Sequence, residues 1–254
     1  SEIDKLKIYI SLDNLFSIKN FNINEVIVEN ANFELNNNNR NFFLQILNNN
    51  FFKAKLKIKK SNIFFKNYEN EVLFINKLKN LKYYYDPKKL KNILISENEM
   101  FNIPYYVEII NHEDEKKLYT KLNIDLMKLQ IENIYEYEND IKLGSAILIF
   151  NKIKSSINYK INKNLFEFNY YDKSDKKKFL YNGKFNLKPF YSTLEGNTKE
   201  LNVSYLFGTN AFISELLKTE IFNNKNLDFR LNINANKIQN SQNFINLFLK
   251  FKIQ

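Results

Sequence analysis

The 254-residue chain has no cysteine, no tryptophan, one histidine, three prolines, four glycines and, among 38 basic residues, two arginines. Each scarcity removes a class of function. Without cysteine there is no disulfide framework, thiol nucleophile or Cys-ligated zinc. A single histidine removes His-cluster metal sites and leaves most catalytic triads unbuildable. Four glycines supply no phosphate-cradling loop, and three prolines no Pro-rich linker. No apolar run approaches the ~18 residues of a membrane span, and no charged segment followed by an apolar core and cleavage site opens the chain. The expectation is a protein that is not an enzyme and carries no cofactor or metal.

What is present is equally skewed. Asn (45), Lys (36), Ile (30), Phe (24) and Tyr (16) make up 151 of the 254 residues. Their codons are rich in A and T, which points to an AT-rich genome and discounts the net charge of +10. Mean hydropathy is −0.46, yet 44% of residues are hydrophobic and 16% aromatic, ample for collapse. The chain opens at Ser1 and stops at Gln254 within an alternating pattern, so it reads as an excised segment of a longer protein.

Period-two alternation dominates, and each such stretch predicts a strand with one wet and one dry face. The clearest runs are 53–59, 118–126, 153–161, 179–188, 227–236 and 245–253. Weaker ones lie near 5–10, 21–35, 62–67, 71–85, 103–110, 128–138, 141–150 and 165–171. The short polar connectors predict antiparallel neighbours, giving roughly a dozen strands in one meander. The fold class expected is mainly β: one long curled antiparallel sheet, a groove, over 1–254, with one or two short amphipathic helices. Helical spacing appears at 41–48 (Phe42, Phe43, Ile46, Leu47) and at 211–222, where Asn210 is a suitable N-cap for Phe212, Ile213, Leu216, Leu217 and Ile221.

Single polar features offer little chemistry. His112 sits in a charged turn with no second ligand class nearby and reads as a solvated loop residue. Glu132, Glu136 and Glu138 offer paired carboxylates for acid–base work, but a polar strand face accounts for them. Interleaved Lys and aromatic residues, as in Lys82-Tyr83-Tyr84-Tyr85, are the type that grips single-stranded nucleic acid. Arg, the residue of bidentate phosphate contacts, occurs only at 40 and 230, and the lysines form no single stripe, which argues against nucleic acid as a partner. Weak attraction to anionic membrane surfaces fits the charge at least as well.

The dry faces pose the functional question. Five inward side chains per strand, each worth about 1.5–3 kcal/mol when buried, must be covered by something. A closed barrel, a two-sheet sandwich, and a curled sheet holding apolar ligand all satisfy this, and periodicity alone does not choose.

The stretch Ile23-Asn24-Glu25-Val26-Ile27-Val28-Glu29-Asn30-Ala31-Asn32-Phe33-Glu34-Leu35, the continuing runs Ile58–Phe65 and Phe74–Tyr85, and the later Tyr181–Phe190, 211–222 and Asn226–Ala235 together resemble the AsmA-like family of Gram-negative envelope proteins. That family is related in architecture to TamB and distantly to chorein-type lipid bridges. The likeness is one of pattern over most of the chain, with no catalytic motif, and the low glycine content departs from it. The resemblance implies a periplasmic β-groove, anchored in the inner membrane by a helix outside this segment, which conducts phospholipid toward the outer membrane. The groove lining it implies is Leu122, Ile124, Ile157, Tyr159, Phe185, Leu231 and Ile233, any of which an ordinary core would equally explain. The rival is an interaction module whose exposed sheet edge accepts a strand from an outer-membrane protein or its assembly components.

Overall fold

The computed structural model describes residues 2–12, 21–36, 54–66, 69–112, 115, 117–136, 141–150, 152–162, 165–172, 180–188, 191–202, 228–238 and 245–253. The chain divides into two compact units, Ser1–Leu122 and Asn123–Gln254. Strands in the first are β1 (Glu2–Leu12), β2 (Phe21–Leu35), β3 (Lys55–Lys66), β4 (Val72–Asp86), β5 (Lys91–Met100) and β6 (Ile103–His112), followed by β7 (Lys117–Ile124), which straddles the boundary. The second holds β8 (Leu129–Glu136), β9 (Ile141–Phe150), β10 (Ile153–Asn162), β11 (Leu165–Asp172), β12 (Leu180–Lys188), β13 (Tyr191–Leu201), β14 (Asp228–Ile238) and β15 (Ile245–Ile253). The structure is mainly β, and among the described residues the helical content is one 3-10 turn, Asp125–Met127. Both helix-spaced segments, 41–48 and 211–222, lie outside the described residues.

Within each unit strands pair in chain order, and among the described residues the sheet does not close: β1 is paired only with β2 and β15 only with β14. The all-antiparallel expectation needs correction. β2 pairs with β3 in parallel and β13 with β14 in parallel, while the other pairings with a defined register are antiparallel. The reason is connector length. Residues 36–54 and 202–227 are the two long connections, and only a long crossover can return a chain to run parallel to its neighbour. Two further differences are local. The runs at 53–59 and 62–67 form the single strand β3, which passes through a left-handed residue at Lys60 (φ 49°). The run at 118–126 ends at Ile124, and Leu126 falls in the 3-10 turn, largely exposed.

A seam of irregularity crosses the first unit. Asn30 (φ 55°) and Lys60 (φ 49°) are left-handed, and β4 shifts register between Leu78 and Asn80. Left-handed non-glycine residues cost on the order of 1 kcal/mol each, and bulges bend a sheet locally. Beside the seam the small residues Ala31 and Ser61 are buried, at 0% and 1% exposure. Ser61 Oγ accepts a hydrogen bond from the Ala31 amide (3.0 Å) and donates to the Lys59 carbonyl (2.9 Å), supplying backbone partners where the ladder is interrupted.

The dry face of this unit buries Val28, Leu78, Tyr83 and Ile103, together with Asn76, Asn92, Ser96, Asn98 and Asn111. Two of those polar contacts are internal: Ser96 Oγ donates to Asn98 Oδ1 (2.8 Å) and the Tyr105 hydroxyl to Asn76 Oδ1 (2.9 Å). The wet face sets register by charge. Lys57 meets Glu25 at 2.6 Å, Lys66 meets Glu34 at 2.6 Å, and Lys77 and Lys79 converge on Glu99 at 2.7 and 3.1 Å.

Candidate functional site

In the second unit the registers align a continuous apolar surface. Ile157 lies opposite Ala146 on β9 and Tyr170 on β11. The same row continues through Tyr181, Thr198 and Ala235. The next row is Tyr135, Gly144, Tyr159, Phe168, Gly183, Gly196 and Ile233. A third carries Ile161, Phe166, Phe185, Leu194 and Leu231. Five of the seven expected lining residues, Ile157, Tyr159, Phe185, Leu231 and Ile233, therefore occupy adjoining rows across β10–β14. Leu122 and Ile124 alternate along β7 at the boundary of the units, half-buried, and are not among the residues these registers bring together.

Burial on this face runs opposite to that of a closed core. Its buried positions among the described residues are small: Ala146, Ser155, Gly183 and Ala235. Its large described side chains, Ile131, Leu148, Ile157, Phe166, Phe185 and Ile233 among them, are all only half-buried. A covering protein layer buries the tallest side chains first, since they project furthest into it. Here only what lies between tall neighbours is shielded. Leu201 and Met127, the large apolar side chains buried among the described residues of this unit, lie off that face.

Aromatic rings close part of the surface. A Cβ placed on Gly144 would lie 2.2 Å from Cζ of Tyr159, and one on Gly183 would lie 2.5 Å from Cζ of Phe168. Each ring thus lies over the neighbouring glycine, the cross-strand cover that aromatic side chains give strand glycines. The Tyr159 hydroxyl reaches past Gly144 to donate to Asn133 Oδ1 at 2.6 Å, and burial pushes its pKa up from the ordinary tyrosine value. Tyr159 stacks on Phe166 (4.8 Å, 28°), which meets Phe168 at 5.9 Å. Gly196 has no such cover: a Cβ there meets nothing within 4 Å.

Phe166, Phe168 and Gly144 belong to this surface although the sequence pattern did not single them out, and Gly183 lies on the dry side of the alternating run 179–188. A glycine at a dry-face position of a strand is the signal that points to such cover.

Across β10–β14 the opposite face is polar and ordered, whereas on β8 and β9 it carries Ile134, Leu143, Ile147 and Ile149. Asn158, Asn169, Asn182, Asn197 and Asn234 align across five strands, with Asn197 donating to Asn182 (3.4 Å) and Asn234 to Asn197 (3.0 Å). Beside them Lys160 and Lys184 flank Glu167 at 2.8 and 3.3 Å and hold its carboxyl below the ordinary carboxylate range. A depression of about 600 Å³ lies over this polar row. Glu132 and Glu136 are exposed strand residues, Glu132 accepting from Gln130 Nε2 at 2.6 Å, and Glu138 lies outside the described residues. His112 ends β6, half-buried, 3.9 Å from Glu115 and edge-on to Tyr119. Among the described residues no cluster of His, Asp and Glu could hold a metal ion. No helix among them is long and apolar enough to cross a membrane.

No protein-family model, curated protein or solved structure matches the chain.

Proposed function

We propose that this chain is a segment of an AsmA-like envelope protein whose apolar sheet face takes up phospholipid acyl chains. It would work in the periplasm between inner and outer membranes, held to the inner membrane by a helix outside the segment, and serve outer-membrane biogenesis. The observation that carries this reading is the inverted burial of the second unit: an apolar surface, continuous over at least five strands, whose large side chains stay partly exposed while only small ones are sealed. Such a surface gains free energy from any apolar cover, and an acyl chain contributes about 0.8 kcal/mol per methylene buried. The mechanism is passive. Acyl chains slide over Ile157, Phe185 and Ile233, and head groups stay in water at the open side.

Native mass spectrometry of the purified chain, followed by lipid extraction, tests this. Phospholipid at a reproducible stoichiometry is expected, and its loss in Ile157→Asp and Ile233→Asp. Asn158→Asp, on the polar face, should keep it. A lipid-free wild-type chain, or lipid retained by both dry-face variants, refutes the reading.

A further inference from the structure

We propose that the polar face of the second unit is a binding site for an elongated, uncharged glycan that bears N-acetyl groups. Asn158, Asn169, Asn182, Asn197 and Asn234 hold successive places in one row across β10–β14, and all five are exposed. Composition alone does not account for the row. Asn is 45 of 254 residues, fewer than one in five, and the adjacent row on the same face carries Lys160, Glu167, Lys184 and Glu195 instead. At about 4.8 Å between strands, the five amides span about 19 Å. A side-chain amide has two N–H donors and an acceptor oxygen. The bonds within the row take one donor each from Asn234 and Asn197, so most of its hydrogen-bonding capacity is left for a ligand.

Space and charge narrow the ligand. Asn158, Asn169, Asn182 and Asn197 line the depression of about 600 Å³, together with the charged row and Leu143. The charges there balance: Lys160 and Lys184 hold Glu167 between them, and Glu195 stands opposite Lys184. Two positive and two negative groups offer a polyanion no net attraction, which argues against nucleic acid and acidic polymers. A peptide strand is read through an open sheet edge, whereas β10–β13 are interior strands whose backbone groups already pair on both sides. An acyl chain would cover the amides without bonding them, at a cost in desolvation. Leu143 adds one apolar requirement. It is 53% exposed on the β9 side of the depression, opposite Lys160. An acetamido sugar meets every condition: hydroxyls and an amide that continue the hydrogen bonding of the row, no charge, and a methyl group for Leu143 to cover. This inference does not depend on whether the other face of the unit binds lipid.

Titration calorimetry on the full chain tests it, with tetra-N-acetylchitotetraose as probe and cellotetraose, the same backbone without acetamido groups, as comparison. The acetylated sugar should bind at least tenfold more tightly. The variant Asn169→Asp/Asn182→Asp, folded by circular dichroism, should bind it tenfold more weakly or worse. Leu143→Ser should narrow the preference for the acetylated sugar. In the wild-type chain the side-chain amide resonances of the Asn row should shift as the acetylated sugar is added. No binding of that sugar, equal affinity for the two sugars, or shifts that spare the Asn row overturns the proposal. So does undiminished binding by the folded Asn169→Asp/Asn182→Asp variant.

Discussion

Gly144, Gly183 and Gly196 occupy one row of the second unit, and replacing each with alanine should give three different results. None has a positive φ, so alanine meets no backbone strain at any of them. The difference lies in what the new methyl meets. At Gly196 it meets nothing within 4 Å, and a strand glycine costs roughly 0.5–1 kcal/mol relative to alanine, so Gly196→Ala should stabilise by about that much. At Gly144 it lands 2.2 Å from Tyr159 Cζ and 2.4 Å from the hydroxyl oxygen, the far end of a side chain that can swing away. Swinging breaks the 2.6 Å bond to Asn133, worth about 1 kcal/mol, and overpacking adds about 1–3 kcal/mol. After the propensity gain is subtracted, Gly144→Ala should cost about 2 kcal/mol. At Gly183 the methyl meets Phe168 at 2.5 Å and also the Glu195 carbonyl oxygen at 2.7 Å. A ring can turn but a paired strand cannot, so this substitution should cost most, about 3 kcal/mol.

Urea unfolding followed by circular dichroism measures all three. A double-mutant cycle gives the sharper result. In a Tyr159→Ala background the obstruction is gone, and Gly144→Ala should become stabilising. The reasoning fails if Gly144→Ala costs no more than Gly196→Ala, or if its cost survives removal of Tyr159.

Other perturbations have equally definite outcomes. Ser61→Ala leaves the Ala31 amide, at a fully buried residue, without its side-chain acceptor and should cost about 1–3 kcal/mol in the same assay; a neutral result would mean the bulge seam is held otherwise. The pH profile of stability should be limited at both ends. Lysine contacts lower the carboxyl pKa values of Glu34, Glu99 and Glu167 from 4.5, so their contribution is present above that pH and lost as pH falls through the folded values. Burial raises the phenols of Tyr83, Tyr105 and Tyr159 from 10, so the unfolded chain ionises first and stability declines as pH rises beyond about 10. The acid decline should be the smaller, since those carboxylates are exposed and screened, and Glu99→Gln should reduce it further. A stability maximum outside pH 5–10 contradicts these assignments.

The strands that alternation exposed were those whose dry positions are occupied by large apolar side chains, such as β10 with Ile153, Ile157 and Ile161. β5 and β13 were not expected, for related reasons. On β5 the positions paired along the dry face are Asn92, Leu94, Ser96 and Asn98, while Ile93 and Ile95 point the other way, so the period-two signal cancels. On β13 they are Ser192, Leu194, Gly196 and Thr198, of which Leu194 alone is a large apolar residue, so no alternation registers. In the first case buried polar groups occupy the dry face, with Ser96 donating to Asn98. In the second, a single apolar residue stands among small and polar ones. Both are tertiary facts with no local periodicity. The parallel pairings were closer to legible, because the two helix-spaced segments fall inside the two long connectors. A segment of helical period between two strands is the ordinary mark of a crossover.

The expected lining rested on the same alternation, which identifies a dry face and leaves open what covers it. Side-chain size resolves that point physically, and one substitution can measure it. In a closed core, Ile157→Asp would bury a carboxylate with no partner, a loss of several kcal/mol and enough to unfold a marginal domain. On a face covered only by its own neighbours, Ile157 is half-buried, and the aspartate can turn its carboxylate to water. The cost is then part of the about 1.5–3 kcal/mol of an isoleucine's burial, near 1–2 kcal/mol. Ile157→Asp should therefore lower the urea midpoint modestly and leave the sheet folded, and Ala146→Asp, at a sealed position in the same row, should cost far more. If Ile157→Asp proves as damaging as Ala146→Asp, protein covers this face, and no acyl chain has access to it.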